Sequence, residues 1–127
     1  MRSQDYDQYL PGYIDESSKL VILLDYDGTL APIEPHPDKA VLSEGMRNVL
    51  RQLSQIPSVS VCVMSGRSLD NLKRMVDIDG ITYAASEGLE ILHPDGSRFT
   101  HPVPDDYHSK LLAVVLALQV YLVSFLL

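Results

Sequence analysis

Two aspartates two residues apart, Asp25 and Asp27, stand directly after an unbroken apolar run at residues 20–24 (LVILL) and directly before Gly28-Thr29. In an extended segment, side chains two positions apart leave on the same side, so the two carboxylates project together. Acids that close repel unless one is protonated or a cation lies between them. Mg2+ meets that condition, because it takes oxygen ligands and completes its shell with waters and phosphate. Gly28 permits a sharp turn that brings backbone N–H groups close to a phosphate, and Thr29 offers a hydroxyl. The plainer alternative is an acidic turn after a strand, with Asp27-Gly28 as its turn residues.

A second polar cluster, Ser65-Gly66-Arg67, follows another apolar run at residues 59–64 (VSVCVM). A hydroxyl, a glycine that admits close backbone approach and a following helix start together make an anion site. Arg67 adds a charge-assisted contact to phosphate or sugar. Taken alone, the same residues also read as a helix N-cap beside a surface arginine. Ser86-Glu87-Gly88-Leu89-Glu90 forms a third cluster, equally readable as a contact site or a solvated turn. His36, His93, His101 and His108 have no ligand-type spacing. Asp105-Asp106 follows Pro104 and reads as the acidic opening of a helix. Cys62, inside the second apolar run, reads as a buried small hydrophobe.

The elements that position these clusters follow from periodicity. The runs at 20–24, 59–64 and 81–84 are short and apolar on both faces, which suits strands buried in a parallel sheet. Between the first two, Ser43 caps a helix whose Met46, Val49, Leu50, Leu53 and Ile56 share one face, and Pro57 stops it. Ser68 caps a second helix carrying Leu69, Leu72, Met75 and Val76 on its inner face. Residues 89–92 and 98–101 flank Pro94-Asp95-Gly96 as a hairpin. Strand, helix, strand, helix, strand predicts an α/β fold, a Rossmann-like parallel sheet with right-handed crossovers. Ligands in such sheets bind beyond the carboxyl ends of the strands, where the first two clusters fall.

With 127 residues the chain fits one domain, and 17 acidic against 10 basic side chains give a net charge of −7. That balance excludes a nucleic-acid-binding module, whose footprint is basic. A single cysteine excludes a disulfide framework and favours a reducing compartment, read here as the cytoplasm. Residues 1–19 lack the basic and apolar regions of a secretory signal and read as a lead-in with one short helix. Residues 111–127 (LLAVVLALQVYLVSFLL) are apolar all round apart from Gln119, Tyr121 and Ser124.

The stretch LLDYDGTL resembles the first motif of haloacid-dehalogenase-type phosphatases. The ordered set formed with VMSGRSLDNLKRMV and ITYAASEGLEILHPDGSRF resembles the trehalose-phosphatase family. More narrowly, residues 20–110 resemble the carboxyl-terminal phosphatase region of animal two-part trehalose-phosphate synthases. The resemblance implies trehalose 6-phosphate as substrate, dephosphorylated through an aspartyl-phosphate with Mg2+. Asp25 matches the nucleophile and Asp27 the general acid. The Asp25 carboxylate and the Asp27 backbone carbonyl match metal contacts. Thr29 and Ser65 match hydroxyls that hold the phosphoryl group, Gly66 and Arg67 match the loop beside it, and Glu90 matches a substrate contact.

The chain also departs from the family. The family's usual Gly-x-His-Gly-x-Glu is Ala85-Ser86-Glu87-Gly88-Leu89-Glu90 here, and an anion at Glu87 is expected to weaken binding of a phosphorylated sugar. The family's later lysine, its acidic pair and its cap domain have no match. The expected organisation is a lead-in at 1–19, a partial phosphatase core at 20–110 and an apolar tail at 111–127. The tail reads as a misread or truncated gene end, a buried helix or a membrane anchor; the first is favoured, since 17 residues barely span a bilayer. Two functions stay open: a truncated phosphatase of weak or no activity, or a non-catalytic fragment that binds phosphate or a protein.

Overall fold

The computed structural model describes residues 19–126, and the side chains of 19–121. The expected lead-in therefore lies, apart from Lys19, outside the described residues. Five strands form one sheet: β1 (Leu20–Asp25), β2 (Val59–Met64), β3 (Thr82–Ala85), β4 (Glu90–Leu92) and β5 (Arg98–Thr100). Their order across the sheet is their order along the chain. β1, β2 and β3 run parallel, while β4 and β5 return antiparallel as the expected hairpin. The fold is α/β, with the parallel part carrying both strand-end clusters.

Helix α1 (Glu44–Ser54) bridges β1 to β2, and α2 (Leu69–Val76) bridges β2 to β3. Each starts at its expected cap: Ser43 Oγ accepts the Met46 N–H at 3.2 Å, and Ser68 Oγ accepts the Asn71 N–H at 3.4 Å. These side chains satisfy amides that the first turn leaves without partners. α2 ends at Asp77, which adopts a left-handed conformation (φ 51°). Arg47 on α1 donates to the carbonyl of Val76 at the end of α2 and ties the two helices together. Helix α3 (Tyr107–Leu126) follows β5 at the carboxyl-terminal end.

Because β1, β2 and β3 advance in one direction, right-handed crossovers place α1 and α2 on the same side of the sheet. The core lies there: Leu50 of α1 and Leu69, Leu72 and Val76 of α2 pack with Val61, Val63, Ile81 and Tyr83. The strands alternate accordingly. Leu20, Ile22 and Leu24 face the helices, whereas Val21 and Leu23 are 61% and 63% exposed. The expectation that the 20–24 run is buried on both faces is thus corrected: one face of β1 meets no helix.

Candidate active site

β1 delivers Asp25 at its last residue, and the chain then folds over itself within six residues. Tyr26 turns inward and is fully buried, with its hydroxyl donating to the Ala40 carbonyl at 2.6 Å. The Leu30 and Ala31 N–H groups donate back to the Tyr26 carbonyl, and the Gly28 N–H to Ala31. Gly28 holds φ at 87°, a conformation that a side chain would strain. Inward Tyr26 leaves Asp25 and Asp27 on the surface at the carboxyl end of the sheet.

β2 brings Ser65 alongside, since Asp25 pairs with Met64. Ser65 is buried; its Oγ donates to Asp27 Oδ2 at 3.4 Å and accepts the Arg67 N–H at 3.1 Å. Arg67 grips Asp27 from the other side, Nε to Oδ2 at 2.9 Å and Nη2 to Oδ1 at 2.7 Å. Its remaining donors reach the Pro37 carbonyl and Asn71 Oδ1, and its guanidinium carbon lies 5.2 Å from the centre of the Tyr26 ring. The Arg67 side chain is only 8% exposed against 41% for Asp27. The hydrogen bonds from Arg67 hold the Asp27 carboxyl below its ordinary range, and the same pairing raises Arg67.

The predicted residues divide between two adjoining depressions. Asp25, Ser65 and Gly66 line one of about 180 Å³ together with Glu87 and Gly88. Asp27, Gly66 and Arg67 line another of about 350 Å³ with Ile33, Glu34 and Pro37. Gly66 is the shared wall. Thr29 and Glu90 line neither. Glu90 instead accepts from Arg98 at 2.5 Å and from Ser86 Oγ at 3.4 Å.

Three features were not read from the sequence. Arg67 spends its donors on the protein, because Asp27 lies 40 positions away in the chain and beside it in space. Tyr26 is the ring beneath the Arg67 guanidinium. The third is the shape of the turn Ser86-Glu87-Gly88, a cluster the sequence offers as a contact site or a solvated turn: all three residues have positive φ (51°, 57° and 86°). Its amides are tied to the neighbouring loop, Ser86 N–H to the Arg67 carbonyl at 2.8 Å and Glu87 N–H to Ser65 at 3.3 Å. The turn lays the Glu87 carboxylate over Gly66, where Oε1 would stand 2.6 Å from a β-carbon. A glycine at 66 accommodates that carboxylate.

For a hard cation the donors are of the right kind but few. No hydrogen bond or ion pair engages the Asp25 side chain among the described residues, so its carboxylate is available. The Asp27 carboxylate is occupied by Arg67 and Ser65. Among the described residues no group of three or more acidic, His or Cys side chains surrounds one point. The set fits an ion that keeps most of its shell as water and phosphate, as Mg2+ does.

A parallel α/β sheet with an Asp-x-Asp turn ending its first strand and a Ser-Gly-Arg loop ending the second defines a haloacid-dehalogenase-like core. A haloacid dehalogenase-like hydrolase from B. subtilis superposes with a TM-score of 0.59 at 25% identity, over 80% of this chain and 34% of its own. The trehalose-phosphatase model matches residues 23–119, and the chain belongs to that family. The C-terminal domain of trehalose-6-phosphate phosphatase from C. albicans superposes with a TM-score of 0.60 at 29% identity, covering 65% of this chain and 28% of that one. Trehalose 6-phosphate phosphatase RA3 of Zea mays is 37% identical over 83 residues, 65% of this chain and 22% of its own length. Trehalose-phosphate phosphatase B of Arabidopsis thaliana is 35% identical over 79 residues, 62% of this chain and 21% of its own. The chain thus spans about a fifth to a quarter of the length of its plant relatives.

Proposed function

We propose that the chain carries the phosphoryl-accepting part of a trehalose 6-phosphate phosphatase. The observation that supports it best is the unengaged Asp25 carboxylate, at the carboxyl end of β1 and beside the Ser65-Gly66 loop in one depression. In this reading Asp25 attacks phosphorus and the bond to the sugar oxygen breaks, leaving an aspartyl-phosphate. Asp27 gives the leaving oxygen its proton, then takes one from the water that attacks phosphorus and releases phosphate. The Ser65 hydroxyl and the Gly66 N–H bind the transferred group, the Ser65 and Arg67 amides being held by Ala84 and by Ser65 itself. Mg2+ at the Asp25 carboxylate and the Asp27 carbonyl would neutralise charge on the phosphoryl oxygens. Cys62, the single cysteine and a free thiol, supports a cytoplasmic setting.

Turnover by these 127 residues is expected to be slow. Among the described residues no lysine lines the Asp25 depression, and the Arg67 cation is spent on Asp27. Losing one charge-stabilising donor typically costs about 10²–10³ in rate. The Asp27 carboxyl, held ionised by Arg67, is also a poor proton donor until that pair loosens. The test is Mg2+-dependent phosphate release from trehalose 6-phosphate by the purified chain, with Asp25→Asn as control. A slow release lost in the control supports the reading. A release unchanged by Asp25→Asn would remove Asp25 from the chemistry and overturn it.

A further inference from the structure

The two depressions at the carboxyl end of the sheet differ in size and in lining. The smaller, about 180 Å³, holds Asp25 and Ser65, and the larger, about 350 Å³, holds Asp27. An in-line displacement puts the attacking and leaving oxygens on opposite sides of phosphorus. With Asp25 as nucleophile and Asp27 as proton donor, the phosphoryl group lies in the smaller depression and the leaving alcohol in the larger. That assignment rests on the reading of these two aspartates proposed above.

One wall of the larger depression is held firmly in place. Residues 32–37 (PIEPHP) carry three prolines, whose fixed φ stiffens the segment. Two contacts fasten it. A β-carbon at Gly28 would stand 3.2 Å from Cγ1 and Cδ1 of Ile33, so the Ile33 side chain lies over the turn that follows Asp27. The Pro37 carbonyl accepts from Arg67 Nη2 at 2.7 Å, and the same nitrogen holds Asp27. Glu34 stands between these anchors and lines the depression. Among the described residues no hydrogen bond or ion pair engages its carboxylate.

We infer that Glu34 is a specificity-determining residue for the leaving group, selecting a neutral polyhydroxylated alcohol over one that carries its own anion. An ionised carboxylate only accepts hydrogen bonds, and sugar hydroxyls donate them. Ile33 and Pro37, in the same lining, offer apolar atoms to the C–H face of a sugar ring. A carboxylate or second phosphate on the alcohol would instead be repelled by Glu34. The Arg67 cation in the same wall does not offset that repulsion, because its donors are engaged by Asp27, Asn71 and Pro37. The preference thus comes from a fixed arm of the chain that takes no part in the phosphoryl chemistry.

The experiment is isothermal titration calorimetry of the full chain with Mg2+ and three ligands: trehalose 6-phosphate, inorganic phosphate, and 3-phosphoglycerate, whose alcohol carries a carboxylate. Inorganic phosphate reports the smaller depression alone, so each ester's affinity relative to phosphate reports the larger one. The wild type should favour trehalose 6-phosphate over 3-phosphoglycerate. Glu34→Gln should lower the trehalose 6-phosphate ratio about fivefold, as a charge-assisted hydrogen bond becomes a neutral one. Glu34→Lys should raise the 3-phosphoglycerate ratio about tenfold and reverse the preference. Glu34 is exposed, so far-ultraviolet circular dichroism should not change in either variant. A 3-phosphoglycerate ratio unmoved by the lysine overturns the inference, whatever the glutamine does, and leaves the roles of Asp25 and Asp27 standing. A wild type that favours 3-phosphoglycerate overturns it equally. Binding of none of the three ligands overturns the underlying phosphatase reading, and the inference falls with it.

Discussion

Arg67 holds both carboxylate oxygens of Asp27, at 2.9 and 2.7 Å, across 40 residues of chain. The pair fastens the end of β1 to the end of β2, and Pro37 and Asn71 use the guanidinium's other donors. Arg67→Met is expected to cost about 2 kcal/mol, because the ion pair is partly exposed and contributes about 1 kcal/mol at most, with the lost hydrogen bonds supplying the rest. The Asp27 carboxyl is lowered in the folded protein, so its share of stability is present above the ordinary Asp value and lost as pH falls through the folded value. The gap between wild type and variant should therefore narrow in strong acid. Urea unfolding from pH 7 to pH 2.5 measures it; a constant gap would detach Asp27 from the effect.

Glu87 occupies a left-handed conformation that costs a side chain about 1 kcal/mol. Glu87→Gly removes that strain at some cost in chain entropy, so the melting temperature should stay level or rise by a few degrees. The substitution also clears the carboxylate from Gly66, and inorganic phosphate should bind several-fold more tightly by calorimetry. Unchanged phosphate affinity would show that Glu87 does not guard the loop.

Gly66→Ala tests the same contact from the opposite side. A β-carbon would stand 2.6 Å from Glu87 Oε1, the free end of a flexible chain that can swing away. The expected loss is under about 1 kcal/mol. A loss of several kcal/mol in thermal unfolding would mean that Glu87 cannot yield.

Tyr83 closes the turn before β3 by donating to the Ile78 carbonyl at 2.6 Å and accepting the Ile78 N–H at 3.0 Å. Both bonds are buried. Tyr83→Phe leaves a donor and an acceptor without partners and should cost about 2–3 kcal/mol. Chemical denaturation checks this, with Tyr26→Phe, which strands the buried Ala40 carbonyl and takes the hydroxyl from the Leu42 N–H, expected to cost a similar amount.

The elements were legible because their signals are local. Ser43 and Ser68 announce their helices, and the apolar runs announce the strands. Which side of the sheet each helix takes is not local: Val21 and Leu23 look as buried as Ile22 until the direction of both crossovers is known. The site was legible in type rather than in engagement. Asp25, Asp27 and Ser65 stand together at one end of the sheet, yet nothing near Arg67 in sequence shows that its donors close on Asp27 and Pro37. Glu87 stands out in the sequence as an anion where the resemblance implies a histidine, and only the folded backbone reveals that it overhangs Gly66.

The sheet's strand order, identical to the chain order, has a consequence for how the molecule is made. Among the described residues, each strand after β1 pairs with the strand that precedes it in the chain. Pairings of short sequence separation close cheaply and speed folding. At roughly 5–20 residues per second of synthesis, the β1–β2 pair with α1 across it can form before β3 emerges from the ribosome. The sheet can then grow by addition at one edge, as a structure assembled in the order of its own message.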